Sequence, residues 1–331
     1  MDQTTPKIGH ILDDNDCARD AIHIAVDTER RSGHSRLADE LESLLAQVPP
    51  PPVDQTPTTD SSRTLRELPI SRRQGELLVS ICSRDSLEHH MVLPPVVEER
   101  FSRIEREYAA RERLLAYGLR PRKTILLYGP PGCGKSLGAK RIAWNTGLPL
   151  MKARLDALLS SFFGESAANL RAVFNAARER PCVLLLDECD FIARSRTNSR
   201  DIGEATRIVN ALLQFMEEYD APGLLVATMN IESSLDEALF RRFDDVFQVP
   251  LPGPSEIEKL LQLTLSAIKV GPAIKWHEIV ELLNGSSAAQ VVKAAQDAAK
   301  AVVLVGRKQI EEENLRTAIA EVRRSPAGKA Q

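Results

Sequence analysis

Thr124-Ile125-Leu126-Leu127-Tyr128-Gly129-Pro130-Pro131-Gly132-Cys133-Gly134-Lys135-Ser136-Leu137 is the stretch that decides the fold. A short apolar run of strand character passes directly into a loop punctuated by Gly129, Gly132 and Gly134, and Lys135-Ser136 then opens a helical pattern. Glycines in such a loop let successive backbone N–H groups converge on the oxygens of a phosphate, and the helix N-terminus adds its dipole. The residues Gly129 to Leu137 are therefore expected to form a phosphate cradle. Lys135 is suited to neutralise β- and γ-phosphates, and Ser136 to hold Mg²⁺ through its hydroxyl. Strand, loop and helix in this order form the Walker A pattern, which points to ATP and Mg²⁺ as ligands.

A second stretch supplies what the first lacks. Val183-Leu184-Leu185-Leu186-Asp187-Glu188 reads as a buried parallel strand that delivers two carboxylates to the edge of a sheet where ligands bind. Asp187 is expected in the Mg²⁺ shell and Glu188 as the general base that polarises the attacking water. Standing alone, such a strand end would equally be an ordinary core strand. Behind Lys135-Ser136 it reads as the second half of a nucleotide site.

Around these stretches, short apolar runs alternate with amphipathic helical patterns. Lys123 to Tyr128, Leu148 to Ala153, Cys182 to Asp187, Leu224 to Thr228 and Val246 to Val249 are predicted as strands, a rhythm that gives an α/β fold with a largely parallel sheet and helices on both faces. One helix is predicted from Val96 to Tyr117, its alternating Arg and Glu residues forming a solvated face. Beyond Pro254 only helices are predicted, over 255–267, 277–283, 287–305 and 311–323. The expected organisation is a helical hairpin over residues 1–48, a Pro-rich linker over 49–64, an α/β subdomain over 65–252, an all-α lid over 253–325 and a tail over 326–331. The hairpin is too small to bury much apolar surface alone and reads as a docking element. The linker, PPPPVDQTPTTDSS from Pro49 to Ser62, resists both helix and sheet.

Composition narrows the function. In 331 residues, 43 Lys and Arg stand against 46 Asp and Glu, a formal net charge of −3. That balance argues against nucleic acid or an anionic membrane as the default partner. The five cysteines show no Cys-x-x-Cys spacing, which suggests reduced thiols, and MDQTTPKIGH lacks the basic and apolar regions of an export signal. A cytoplasmic protein is expected.

Gly129 to Ser136, the Asp187-Glu188 pair and the run Leu235-Asp236-Glu237-Ala238-Leu239-Phe240-Arg241-Arg242-Phe243-Asp244 together resemble the AAA ATPases of the AAA+ superfamily, over roughly Pro94 to Arg323. The resemblance implies a P-loop NTPase sheet followed by a helical lid, ATP hydrolysis, and assembly into a homo-oligomeric ring, expected to be a hexamer. It assigns Asn230, five residues before Leu235, to the polar sensor of the γ-phosphate, although Met229 interrupts the usual Ala-Thr-Asn. It assigns Arg241 and Arg242 to the arginine-finger positions that reach the nucleotide of the adjacent subunit.

Asn284-Gly285-Ser286-Ser287-Ala288-Ala289-Gln290 stands where the family approaches the adenine from the lid, with Ala288 and Gln290 departing from its usual pattern. Leu87 to Leu93 replaces the usual adenine strap, and Met91 is expected near the base. Phe162 and Phe163, in Ser160-Ser161-Phe162-Phe163-Gly164-Glu165-Ser166, match the family's first pore loop and imply a protein substrate threaded through the ring. A looser similarity of the N-terminal helices, to bacterial AAA proteins that accompany subtilisin-like proteases, adds a protease as an expected partner. The competing readings are a nucleic-acid motor or loader and a nucleotide-gated scaffold.

Overall fold

Apolar strands set the architecture. β1 (Val79–Cys82), β2 (Thr124–Tyr128), β3 (Leu150–Ala153), β4 (Val183–Leu186), β5 (Leu224–Met229) and β6 (Asp245–Gln248) form one sheet. β4 and β5 are buried at every position, as a parallel strand covered on both faces must be. The order across the sheet is β1-β3-β4-β5-β2-β6. All neighbours run parallel except the edge strand β1, which is antiparallel to β3. The computed structural model describes residues 68–71, 75–159, 166–190, 204–230 and 240–324, without the side chains of 85, 156, 159 and 204–209. The predicted N-terminal hairpin, linker and tail lie outside these residues, as does the segment carrying Phe162 and Phe163.

Helices α1 (Pro95–Ala109), α2 (Arg111–Ala116), α3 (Lys135–Thr146), α4 (Leu155–Leu159), α5 (Ser166–Glu179) and α6 (Glu204–Glu217) connect and cover the strands. Because side chains alternate along a strand, each strand feeds two cores. Ile125, Leu127, Val183 and Leu185 pack with Phe101 of α1 and Ile142 of α3. Leu126, Leu184 and Leu186 pack with Phe174 of α5 and Leu213 of α6 on the other face. Among the described residues no helix is long and apolar enough to cross a membrane.

The sequence suggested one helix from Val96 to Tyr117, but the chain breaks at Ala110 (φ −96°, ψ 12°) into α1 and α2. α1 presents Val97, Phe101, Ile104 and Tyr108 to the core, whereas α2 buries nothing. Past Ala110 no apolar face holds the helix to the sheet, and the chain turns back towards β2.

The charged face of α1 is likewise not simply solvated. Arg141 on α3, only 10% exposed, donates to Glu105 at 3.0 Å and in bidentate fashion to Glu98 at 2.5 and 2.6 Å. Arg100 pairs with Asp245 at the start of β6, and Arg122 with Glu107. These ion pairs tie α1 to its neighbours.

The lid contains α7 (Pro254–Thr264), α8 (Trp276–Leu283), α9 (Ala288–Leu304) and α10 (Glu312–Arg324), packed around Leu261, Ile279, Val291, Ala295 and Ile319. It is not all-α as expected. β7 (Lys269–Val270) and β8 (Gln309–Ile310) pair in parallel between the helices. Strands this short leave no alternating signature, so only the packing of the helices that flank them brings them together.

Removing the Arg141 guanidinium would leave Glu98 and Glu105 facing each other without a cation. Arg141→Met is expected to lower stability by about 2 kcal/mol at neutral pH, below the cost for a fully buried pair because Glu98 is partly exposed. The hydrogen bond from Arg141 holds the Glu98 carboxyl below its ordinary value of 4.5. Its contribution is therefore complete above pH 4.5 and fades as pH falls through the lowered folded value. The gap in Tm between wild type and variant should shrink on acidification, as thermal melts across pH would check.

Candidate functional site

β2 ends at Tyr128, and the loop that follows is shaped by what lies against it. Gly129 adopts φ 137°, and a Cβ there would stand 2.4 Å from the carbonyl oxygen of Val249. Gly132 adopts φ 76°, and its Cβ would meet Oγ of Ser287 at 2.7 Å. Both positions thus exclude a side chain by conformation and by space. Gly134 caps α3, so the first turn of that helix faces the loop. Lys135, 6% exposed, folds over the loop and donates from Nζ to the carbonyl oxygens of Gly129 (3.0 Å) and Pro130 (2.8 Å). Burial pulls its ammonium below the ordinary lysine value, against the opposing pull of Asp190, Asp187 and Glu188.

β5 lies between β2 and β4, with Leu127 opposite Thr228 and Leu186 opposite Ala227. This register brings three strand ends together at one edge. Ser136 Oγ donates to Asp187 Oδ1 at 2.7 Å, and Thr228 Oγ1 donates to the same oxygen at 2.7 Å. Lys152 Nζ takes Asp187 Oδ2 at 2.6 Å. Burial would raise the Asp187 pKa, but the hydrogen bonds from Lys152, Ser136 and Thr228 outweigh it and hold the carboxyl below its ordinary value.

Thr228, 1% exposed, does a second job. Its Oγ1 accepts the backbone N–H of Glu188 (2.9 Å) and its carbonyl accepts that of Cys189 (2.8 Å). Glu188 is the one non-glycine residue with positive φ (59°) among those described. A left-handed glutamate is strained, and persists where its surroundings fix it. Glu188 is exposed to solvent and lines a cavity with Asp187 and Lys152.

Asn230 follows β5 and is clamped by a residue that sequence reading missed. Its backbone N–H donates to Asp190 Oδ1 at 2.6 Å and its Nδ2 to Oδ2 at 3.0 Å. The Asp-x-x-Asp spacing of Asp187 and Asp190 was the available signal, but its meaning depends on β5 lying alongside.

The lid closes one side of the loop. Ser287 and Gln290 form a reciprocal capping box at the start of α9, and the Ala289 N–H donates to the carbonyl of Gly132 at 3.0 Å. Gln290, a departure from the expected pattern, thus serves the cap, and Ala288 sits half-buried beside the loop. Met91 reaches over from the segment before α1, its Cε 3.3 Å from where a Gly134 Cβ would stand. That segment is anchored by His89 stacked on Trp144 at 4.0 Å.

Arg241 and Arg242 are not part of this constellation. They precede β6, whose parallel pairing with β2 sets its start at the far end of the sheet, with Ile125 opposite Asp245. Arg242 lines a cavity of about 500 Å³ there with Lys123, Thr124, Asp220 and Asp244, and pairs with Glu217 at 3.5 Å. Arg241 is exposed.

The oxygens of Ser136 and Asp187 suit a hard cation. Among the described residues no group of three or more His, Cys, Asp or Glu could hold a metal. A divalent cation here would draw on few protein oxygens and on phosphate, the habit of Mg²⁺ rather than of a protein-caged ion.

The family model for the "ATPase family associated with various cellular activities (AAA)" matches residues 125–251. The chain is also similar to an uncharacterized AAA family ATPase, y4kL, of Sinorhizobium fredii (strain NBRC 101917 / NGR234). The two are 38% identical over 225 residues, which cover 68% of each chain.

Thr228→Val keeps the shape of the side chain but leaves the Glu188 N–H without its acceptor and Asp187 Oδ1 with the Ser136 hydroxyl alone. It is expected to cost about 1–3 kcal/mol in denaturant unfolding, and Thr228→Ser to restore most of that loss.

Proposed function

The chain belongs to the AAA ATPase family, and on that footing we propose that it binds ATP with Mg²⁺ and hydrolyses it as one subunit of a homo-oligomeric ring, expected to be a hexamer, that remodels or threads a protein substrate. One observation carries the hydrolytic part. Lys135, Ser136, Asp187, Glu188 and Asn230 follow three strands, β2, β4 and β5, that end together at one sheet edge, beside a loop in which Gly129 and Gly132 leave no room for a side chain.

In this reading Lys135 leaves its loop carbonyls for the β- and γ-phosphates. Ser136 and Asp187 would hold the metal, which would supply positive charge against the negative charge of the phosphates. Glu188, exposed and with its backbone N–H held by Thr228, accepts the proton of the attacking water. Asn230, oriented by Asp190, offers its remaining amide oxygen to that water or lies beside the γ-phosphate. The base is bounded by Met91 and Ala288.

Arg241 and Arg242 lie at the far end of the sheet from their own loop, which supports their acting on a neighbour's nucleotide. Phe162 and Phe163 are the proposed grip on the protein substrate, since an aromatic ring offers a large contact face without a matched hydrogen bond. The described cysteines Cys82, Cys133, Cys182 and Cys189 are all free thiols, which supports a reducing, cytoplasmic setting.

Two variants separate binding from chemistry. Lys135→Ala is expected to lose nucleotide binding, whereas Glu188→Gln should bind ATP, accumulate as the oligomer and lose at least ~100-fold in turnover. Nucleotide titration, size-exclusion chromatography and phosphate release read these outcomes, and near-normal turnover of Glu188→Gln would remove its assignment as base.

Phe162→Ala tests the motor. Basal ATPase and Tm should stay close to wild type while substrate-dependent work is lost. A core phenylalanine would instead cost ~3–5 kcal/mol and lower all three together.

A further inference from the structure

β3 reads Leu150-Met151-Lys152-Ala153, and Lys152 is its single exposed member. The strand lies between β1 and β4, with Lys152 opposite Ser80 on one side and Leu185 on the other. From there the side chain runs to the sheet edge and places Nζ 2.6 Å from Oδ2 of Asp187. The carboxylate is thereby divided. Oδ1 receives the Ser136 and Thr228 hydroxyls, and Oδ2 receives a full positive charge.

The two partners differ in freedom. The Asp187 side chain is 10% exposed and fixed by its hydroxyl donors, whereas Lys152 is 47% exposed. Lys152 borders an open cavity of about 300 Å³ that Ser80, Arg154, Asp187 and Glu188 also line. The ammonium can therefore leave Oδ2 for solvent without disturbing the core. An ion pair this exposed on one side adds little to stability. Its consequence falls on the carboxylate it touches.

We propose that Lys152 is a positioning residue that acts through Asp187, a built-in counter-cation that sets how much Mg²⁺ the nucleotide site needs. The inference rests on the nucleotide-binding reading above. Asp187 offers a divalent ion the negative potential that remains after Lys152 has taken its share, and a cation binding there must work against the ammonium or displace it. Neutralising the ammonium returns the full carboxylate charge to the metal. For an ammonium about 6 Å from a divalent ion in a largely water-like medium, the change corresponds to roughly tenfold in metal affinity.

The test uses the full chain in a Glu188→Gln background, so that turnover does not intrude. Binding of a fluorescent ATP analogue is titrated with Mg²⁺ for Lys152 and for its replacement by Met, Gln or Arg. Lys152→Met and Lys152→Gln should each lower the Mg²⁺ concentration for half-maximal binding by about tenfold, and Lys152→Arg should keep the parent midpoint. Melting temperatures without nucleotide should stay close to that of the parent, which a purely structural pair would not combine with a shifted midpoint.

An unchanged or raised midpoint in both neutral variants would overturn the role of Lys152 while leaving the nucleotide site intact. A parent protein that binds no analogue at any Mg²⁺ concentration would overturn the site reading, and this inference with it.

Discussion

The Asp187 carboxylate is the point on which the site depends. It receives a hydroxyl from the helix after β2, a hydroxyl from β5 and an ammonium from β3. A largely buried carboxylate is stable as an anion only where such donors compensate its lost hydration. Satisfying it therefore fixes the relative height of the strand ends. β5 must lie between β2 and β4 so that Thr228 can reach both Asp187 and the Glu188 amide. The strained backbone of Glu188 follows from the same hydroxyl.

A second constraint is steric and joins the loop to the lid. The N-terminus of α9 approaches Gly132 so closely that a Cβ would strike Ser287, and the Ala289 N–H bonds to the Gly132 carbonyl. A change in the loop's conformation must be met by the start of α9. The four lid helices share one apolar core, so such a displacement is carried by the lid as a body.

Where sequence and structure part, the cause lies in long-range contacts. Arg141 looked like one more basic residue on a helix, yet it sits between two carboxylates of α1, and nothing local in its sequence marks that. Ala110 has good helix propensity, but the break there is set by where apolar cover ends. Lys152 is one lysine in a short strand, and its bearing on Asp187 exists only because β3 and β4 are neighbours. Asp190 was visible as a spacing, yet Asn230 reaches it only through the β4–β5 pairing.

By itself the sequence determined the parallel sheet, the glycine loop after β2, the paired acids and the helical character of most of the lid. These rest on local chemistry: buried strands must be apolar, tight loops need glycine, and amphipathic helices repeat every three to four residues. Tertiary structure alone decided the strand order, the grip of Thr228 and Lys152 on Asp187, the clamp of Asp190 on Asn230 and the placement of Arg241 and Arg242 away from their own loop. Those depend on which segments become neighbours across the sheet, and neighbours far apart in sequence are chosen by the packing of two cores at once, a condition that no local pattern of residues encodes.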